Sequence, residues 1–172
     1  PMLQAHSNFQ MTEVIECVLR GLKRGQEDFQ VTSGVIVCLF RSHSPKENRS
    51  AFEILKKFYH PDSGLKEPGV VGMDLAGDEA RYPTMQFADF FEEARRLNIR
   101  TTCHAGETVG TENLRAALAL QVHRIGHGTH LMDDSRLLAE VVKNNIPVEI
   151  GLTSNIRTKS VPDLSRHPLK LF

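Results

Sequence analysis

A chain of 172 residues is long enough for one domain with a sizeable hydrophobic core and too short for two independent ones. Its 21 lysine and arginine residues equal its 21 aspartate and glutamate residues, so no net charge favours nucleic acid or an anionic membrane surface as a partner. The longest apolar runs, such as residues 34–40, fall far short of the roughly 20 residues that span a bilayer. A small ligand, neutral or locally recognised, fits this composition better.

Cysteine content and the two ends of the chain set further limits. Cys17, Cys38 and Cys103 are widely separated, odd in number and without a CxxC pair, which argues against a disulfide framework and favours a cytoplasmic location. The chain begins at Pro1 without a signal-peptide pattern and ends in an apolar segment without a capping residue. We therefore expect both ends to be cut rather than natural.

Amphipathic helices alternate with short apolar strands from the start of the chain. Apolar residues recur at helical spacing over residues 12–29, which predicts a helix. Residues 31–40 are apolar and rich in β-branched side chains, which predicts a central parallel strand. Ser50 and Glu53 predict a capping box for a helix that runs to about Tyr59.

The same alternation continues along the rest of the chain. The predicted strands are 69–75, 100–104, 124–127 and 148–152, with a possible strand end at 2–5. The predicted helices are 84–97, 111–120 and one that begins after Asp134 as its N-cap. Strands separated by amphipathic helices indicate βαβ units and a parallel sheet.

These elements predict an α/β fold of the (β/α)8 TIM-barrel type. A closed barrel of this type has eight strands and typically about 250 residues, whereas five strands are visible here. We expect residues 1–172 to form a single, partial barrel domain of about five to six βα units, with the first and last strands missing.

In such a barrel the active site lies where each strand ends and its following loop begins. The polar residues at those positions are Arg41 and His43, Asp74 with Gly77, His104 with Glu107, His127 with His130, and Thr153, Ser154 and Asn155. Residue types that bind metals or transfer protons therefore recur at one predicted edge of the sheet.

The segment His104-Ala105-Gly106-Glu107 is the sharpest of these candidates. A strand delivers an imidazole, and Gly106 permits a turn that returns a carboxylate to the same pocket. A zinc ligand at His104 and a proton carrier at Glu107 would suit that spacing. The alternative is a hydrogen-bonded core histidine and a capping or solvated glutamate, and the segment alone favours neither.

Two further segments are weaker when taken singly. His127 lies between two glycines at a strand end, where the backbone can approach a ligand closely. In isolation, a flexible turn with a solvent-exposed histidine explains that pattern better. Asp74 and Gly77 follow the preceding strand, but Asp78 and Glu79 beside them could simply cap or solvate a loop.

In combination, the motifs GxDLAGDE, HAGE, RIGHGxxL and LTSN resemble the adenosine deaminase family over nearly the whole chain. The resemblance implies a metal-dependent barrel hydrolase of purine metabolism, which acts on a cyclic amidine and converts adenosine to inosine and ammonia with a zinc-activated water. It implies that His104 is a ligand of Zn²⁺ and that Glu107 protonates purine N1. It also implies that His127 orients and deprotonates the water. Gly77 would contact the purine, and Asp74 would support the pocket.

The sequence also departs from the family pattern. The family's first strand carries a His-x-His pair of zinc ligands, and no such pair occurs in this sequence. The family's last strand carries adjacent aspartates that bind zinc and the purine, and we expect this chain to end before that strand. The pair Asp133-Asp134 precedes a helix, where an N-cap explains it better than metal binding does. Gly151-Leu152 stands where many relatives have Cys-Pro. Deamination of adenine or N6-methyl-AMP, and a noncatalytic purine-binding fragment or pseudoenzyme, therefore remain as alternatives.

Overall fold

The computed structural model describes residues 9–61, 67–108 and 110–172. Helices and strands alternate along the chain, as predicted. The strands are β1 (Val35–Phe40), β2 (Val70–Ala76), β3 (Thr101–Ala105), β4 (Arg124–His127) and β5 (Val148–Glu149). The α-helices are α1 (Met11–Phe29), α2 (Pro45–Phe58), α3 (Ala88–Arg96), α4 (Glu112–Ala119), α5 (Ser135–Lys143) and α6 (Leu152–Arg157). Short 3-10 helices cover Thr84–Phe87, Thr129–Asp133, Leu164–Arg166 and Pro168–Lys170. The strand end predicted at 2–5 lies outside the described residues.

The five strands form one parallel sheet in the order β1-β2-β3-β4-β5. Strands that follow one another in sequence are neighbours in the sheet, which is the order of a (β/α) barrel rather than of a doubly wound sheet. In the pairing of β3 with β4, Thr102 lies opposite Arg124 and Ala105 lies opposite His127. The predicted class, an incomplete TIM-type barrel, is confirmed.

The chain forms two compact units. The first comprises Pro1–Leu39 and His43–Met73, and the second comprises Phe40–Ser42 and Asp74–Phe172. A single domain over residues 1–172 therefore stays a prediction.

In the part of the chain described, no helix is both long and apolar enough to cross a membrane.

In the first unit, α2 supplies most of the buried apolar surface. Phe52 and Leu55 of α2 and Leu39 of β1 are fully buried. Helix α1 contacts α2 but has no fully buried residue. Its Lys23 Nζ donates to Glu67 Oε1 at 2.8 Å, which ties the helix to the segment before β2.

The second unit has its core between its strands and helices α3 to α5. Phe91, Ile99, Leu114 and Ile125 are each exposed by 1% or less. Burying such side chains stabilises the folded state by about 1.5 to 3 kcal/mol each. The helices are thereby held against the strands, and the carboxyl ends of β3 and β4 are fixed side by side.

The capping box predicted at Ser50 is wrong. Helix α2 begins after Ser44, whose Oγ accepts a hydrogen bond from Glu47 N at 3.3 Å, while Glu47 Oε2 accepts one from Ser44 N at 2.8 Å. Pro45 occupies the first helical position, where its fixed φ suits the helix and its missing N–H costs nothing. Ser50 lies within the helix and donates to Lys46 O at 3.0 Å.

The first strand starts later than the predicted range of 31–40. Val31 is exposed, and the pairing begins where Val35 N donates to Gly69 O at 2.8 Å. Backbone hydrogen bonding to a neighbouring strand, and not apolar character alone, therefore sets the start of β1.

The helix predicted over 84–97 begins as the 3-10 helix Thr84–Phe87 before α3.

The last strand ends earlier than the predicted range of 148–152. Asn155 N donates to Gly151 O at 2.8 Å, and this bond closes the first turn of α6. Thr153 and Ser154 are exposed on that helix, whereas Asn155 is fully buried. The three polar residues predicted at a strand end are therefore on a short helix after β5.

Replacing Ser44 by alanine should lower the free energy of unfolding by roughly 1 kcal/mol, because the N-cap acceptor is lost. Ser50→Ala is the matched control. It lies in the same helix and puts the better helix former at an exposed interior position, so it should leave stability unchanged or raise it by at most about 0.7 kcal/mol. Chemical denaturation of the complete protein measures both changes, and equal destabilisation by the two variants would contradict the cap at Ser44.

Candidate active site

Asp74, His104 and His127 all belong to the second unit and lie on three strands that neighbour one another in the sheet. Asp74 lies in β2, His104 in β3 and His127 at the end of β4. His104 Nδ1 lies 3.1 Å from Asp74 Oδ1. The rings of His104 and His127 are 5.0 Å apart between centroids, with an angle of 62° between their planes. Open α/β sheets and barrels bind ligands beyond the carboxyl ends of their strands, and these side chains lie at those ends.

Asp74 fixes the orientation of the His104 ring. Burial by itself lowers the pKa of His104, but the hydrogen bond and the negative charge of Asp74, with smaller contributions from Glu107 and Glu149, outweigh burial and raise the pKa. The contact uses Nδ1 and leaves Nε2 as the nitrogen that could bind a metal. A histidine held by a carboxylate in this way is typical of zinc sites.

The residues present fit one corner of a zinc site. A catalytic zinc usually has three protein ligands and an open position. Within residues 9–61, 67–108 and 110–172, no group of three or more His, Cys, Asp or Glu side chains is arranged to hold a metal ion. His104 could supply one such ligand, with Asp74 as its supporting carboxylate.

Glu107 and His127 form an acid–base pair beside His104. Glu107 Oε2 lies 3.6 Å from His127 Nε2, and the two side chains are 16% and 11% exposed. Gly126 leaves room for the neighbouring His104 ring, because a Cβ at that position would lie 3.0 Å from His104 Nδ1. His127 itself has a φ of 68°, a left-handed conformation that is uncommon for a residue with a side chain. The two groups are close enough to share a proton through a substrate or a water.

The second nitrogen of His127 contacts a buried amide. Asn155 Nδ2 lies 3.3 Å from His127 Nδ1, and Asn155 Oδ1 has no hydrogen-bond partner among the described residues. With Asn155 donating to Nδ1, a neutral ring carries its proton on Nε2. With the amide turned by half a rotation, Oδ1 accepts from Nδ1–H and Nε2 becomes the basic nitrogen that faces Glu107. Asn155 therefore selects the tautomer of His127.

Glu79 is buried beside the loop that carries Glu107, with 3% of its surface exposed. From the sequence, this residue could equally cap or solvate its own loop. Its Oε2 accepts from Gly106 N at 2.9 Å, and its Oε1 accepts from Glu107 N at 2.6 Å and from Thr108 N at 2.7 Å. The adjacent Asp78 does cap its own loop. No signal in the sequence distinguishes the two neighbouring acids.

Arg41 is a buried structural cation and not a pocket residue. It is 1% exposed, and its guanidinium donates to Tyr82 O at 2.7 Å, to Thr84 Oγ1 at 2.9 Å and to His104 O at 2.7 Å. The backbone of the predicted zinc ligand is therefore held from the side of β1.

Comparison with known proteins identifies the family. The model of the family described as adenosine deaminase matches residues 1–172. The chain is also 35% identical over 172 residues to an adenosine deaminase of Enterococcus faecalis, which covers 100% of this chain and 49% of that relative. The chain belongs to the adenosine deaminase family. It spans about half the length of the family members that it matches.

Solved structures related to this adenosine deaminase family chain share its fold. An adenine deaminase of Arthrobacter aurescens superposes with a TM-score of 0.80 at 27% identity and covers 95% of this chain and 48% of its own. The Arabidopsis N6-mAMP deaminase gives 0.65 at 26% identity, over 78% and 37% of the two chains. An amidohydrolase of Burkholderia ambifaria with bound Zn gives 0.81 at 23% identity, over 95% and 44%, which supports the barrel fold alone.

In the aspartate pair of this family member, Asp134 caps α5, as the sequence predicts. Asp134 Oδ1 accepts from Arg136 N at 2.9 Å and from Leu137 N at 3.3 Å, and its carboxylate also pairs with Arg115. The hydrogen bond from Arg136 N is the largest of the effects that hold the pKa of Asp134 below its usual range. An N-cap at Asp134, rather than a metal ligand, is confirmed.

The other predicted polar positions have surroundings of their own. His130 Nδ1 contacts Asp133 Oδ2 at 2.6 Å on the 3-10 helix after β4. His43 belongs to the first unit. Gly77 has a φ of 108°, and a Cβ there would lie 3.3 Å from Arg41 N, so the backbone requires glycine whether or not a ligand is bound. Contact between Gly77 and a purine stays a prediction.

Cys103, beside the predicted zinc ligand, should resist alkylation in the folded protein. It is fully buried, and burial raises its pKa to about 12 despite the nearby charge of Arg41. Cys17 is exposed and serves as the internal control. Iodoacetamide at pH 8 followed by peptide mass spectrometry should modify Cys17 in the native protein and Cys103 only after denaturation, because the thiolate is the reactive form. Modification of both at equal rates would contradict the burial of Cys103.

Proposed function

We propose that the complete protein that carries this chain hydrolyses adenosine to inosine and ammonia. The observation that carries the proposal is the acid–base pair Glu107–His127, with 3.6 Å between Oε2 and Nε2, beside His104 at the strand ends. Hydrolysis at purine C6 needs a donor for the ring nitrogen and an acceptor for the proton of the attacking water. The pair supplies both groups in one place.

The proposed reaction moves protons between these two side chains and the substrate. Glu107 donates its proton to purine N1, which makes C6 more electrophilic. With the Asn155 amide turned so that its Oδ1 accepts from His127 Nδ1–H, His127 Nε2 is the basic nitrogen and accepts a proton from the water as the water oxygen bonds to C6. The protonated His127 then gives that proton to the departing amino group, which leaves as ammonia. The hydroxyl proton at C6 returns to Glu107. Atoms and charge balance, and both side chains are restored.

His104 would be one ligand of Zn²⁺ through Nε2, with the remaining ligands supplied by parts of the barrel outside this chain. Zinc, when bound, would lower the pKa of a water so that hydroxide is available near neutral pH. Asp74 Oδ1 holds Nδ1 at 3.1 Å and so keeps Nε2 directed away from the carboxylate. Asp74 and Gly77 would border the purine at the end of β2.

Adenine and N6-methyl-AMP are the alternative substrates. The structures of an adenine deaminase and of an N6-mAMP deaminase share the fold at 27% and 26% identity. The proposed proton transfers involve the purine ring and C6, which these compounds share with adenosine. The preference for adenosine rests on the match to adenosine deaminases along the whole chain. A noncatalytic purine-binding barrel is the remaining alternative.

A small purine is the proposed partner, with no nucleic acid and no membrane. The balanced charge of the chain supports this, because nucleic acid and anionic lipid are bound through excess positive charge. We also propose a cytoplasmic location, since the three cysteines are odd in number and form no CxxC pair, which argues against a disulfide framework.

The zinc-loaded complete protein should convert adenosine to inosine faster than it converts adenine or N6-methyl-AMP. The change in absorbance of each purine measures the reaction, together with the amine released, which is ammonia from adenosine and adenine and methylamine from N6-methyl-AMP. A chelator-treated sample is the control. Turnover of adenine or N6-methyl-AMP without turnover of adenosine would move the substrate assignment to that compound. Absence of turnover with all three would leave the noncatalytic alternative.

Glu107→Gln should retain zinc and lose roughly 10²- to 10⁴-fold in kcat, because a general acid contributes that factor without being a ligand. Glu112→Gln is the matched control, since Glu112 is an exposed glutamate at the start of α4. It should turn over substrate at the wild-type rate. Metal analysis and steady-state kinetics test both variants, and a Glu107→Gln enzyme with more than about half of wild-type activity would exclude the proton-donor role.

A further inference from the structure

Two buried side chains of opposite charge bind the backbone on either side of Glu107. We name residues 104–108 the acid loop. Arg41 donates to His104 O at 2.7 Å at the start of the acid loop, and the Glu79 carboxylate accepts from the N–H groups of Gly106, Glu107 and Thr108 at its end. Every one of these residues lies in the second unit.

The Glu79 carboxylate accepts hydrogen bonds from three consecutive backbone N–H groups of the acid loop. A buried carboxylate is costly unless hydrogen-bond donors replace its water, and buried N–H groups are costly unless they find acceptors. Both Glu79 oxygens accept, at 2.6 to 2.9 Å, distances typical of charge-assisted bonds. The hydroxyl of Thr108 adds a longer contact at 3.4 Å. The three consecutive N–H groups are thus fixed by a single residue.

Glu79 is itself held in place from behind. Asn113 Nδ2 donates to Glu79 O at 3.1 Å, and Asn113 Oδ1 accepts from Thr84 N at 2.8 Å. Thr84 Oγ1 accepts in turn from Arg41. On the opposite side of the acid loop, Thr129 Oγ1 donates to Gly106 O at 2.7 Å. The loop is therefore held by groups whose own positions are fixed.

We propose that Glu79 is a positioning residue that holds the Glu107 carboxylate where it can donate a proton. Glu79 binds the N–H of Glu107 itself, so it fixes the backbone from which that side chain reaches His127. Arg41 supports the other end of the acid loop through the His104 carbonyl. The inference rests on the proposed function, because the proton transfer by Glu107 is what the positioning serves. A misplacement of about 1 Å in such a group can cost on the order of 10²-fold in rate.

The test is Glu79→Gln in the complete, zinc-loaded protein. Glutamine keeps the size of the side chain but replaces one acceptor oxygen by an NH₂ group, which cannot accept from the loop amides. The value of kcat should fall by roughly 10- to 100-fold, while KM changes by less than about threefold and zinc content is unchanged. Glu79→Asp, which keeps both oxygens, should lie between Glu79→Gln and wild type.

Asp78→Asn is the matched control. Asp78 is the neighbouring acid and also accepts from two backbone N–H groups, those of Ala80 and Arg81, both at 3.1 Å. The Asp78 side chain is exposed, and both of these bonds are made to its Oδ1. The kcat of Asp78→Asn should stay within about twofold of wild type, because asparagine keeps this acceptor oxygen and removes only the negative charge.

A double variant separates positioning from a general loss of stability. In the Glu107→Gln background, Glu79→Gln should cause little further loss of kcat, because two residues that act through one step are not additive. Hydrogen exchange at Gly106, Glu107 and Thr108 should be faster in Glu79→Gln and unchanged in Asp78→Asn. Amide exchange reports local opening of the loop independently of activity.

The positioning role of Glu79 can fail while the proposed function holds. If Glu107→Gln is inactive but Glu79→Gln keeps wild-type kcat, the positioning role is overturned and the proposed function stands. A full multiplicative loss in the double variant, or unchanged exchange in the acid loop, also overturns it. If the wild-type protein deaminates none of the three purines, the proposed function fails and the positioning role fails with it.

Discussion

The candidate site depends on the hydrogen bonds that pair β3 with β4 in parallel, because they set the carboxyl ends of the two strands side by side. Ala105 lies opposite His127 in that register, so the segment after β3 begins next to the histidine that ends β4. The side chains of His104 and Glu107 then reach the same histidine from two directions. A shift of one residue in either strand would turn these side chains to the other face of the sheet.

Two buried charged side chains fix the backbone of the acid loop. Arg41 and Glu79 are 1% and 3% exposed. Glu79 accepts from three backbone N–H groups of the acid loop, and Arg41 donates to the His104 carbonyl as well as to Tyr82 and Thr84. Apolar packing holds helices against strands but tolerates small shifts, whereas charge-assisted hydrogen bonds are directional and short. A loop that must present a carboxylate at a fixed point is better defined by the second kind of contact.

In the proposed reaction, the chain supplies the groups that transfer protons and one possible ligand of zinc. Glu107, His127 and the amide of Asn155 form a connected set, in which the orientation of the amide decides which imidazole nitrogen is basic. The structures of an adenine deaminase and of an N6-mAMP deaminase share the fold of this chain. A shared fold does not by itself determine the substrate, which depends on the residues and loops of the site.

Local sequence patterns predicted the alternation of helices and strands, the barrel class and the N-cap at Asp134, because periodicity and strand ends are encoded within a few neighbouring residues. They also predicted that polar residues at the strand ends lie together, and the structure places Asp74, His104, Glu107 and His127 there. They were not sufficient where two similar residues compete. Ser44 and Ser50 are both followed three residues later by glutamate, and Asp78 and Glu79 are adjacent acids. Only the tertiary structure decided that Glu79 is buried, because its three amide donors lie 27 to 29 residues further along the chain and reach it through the pairing of strands.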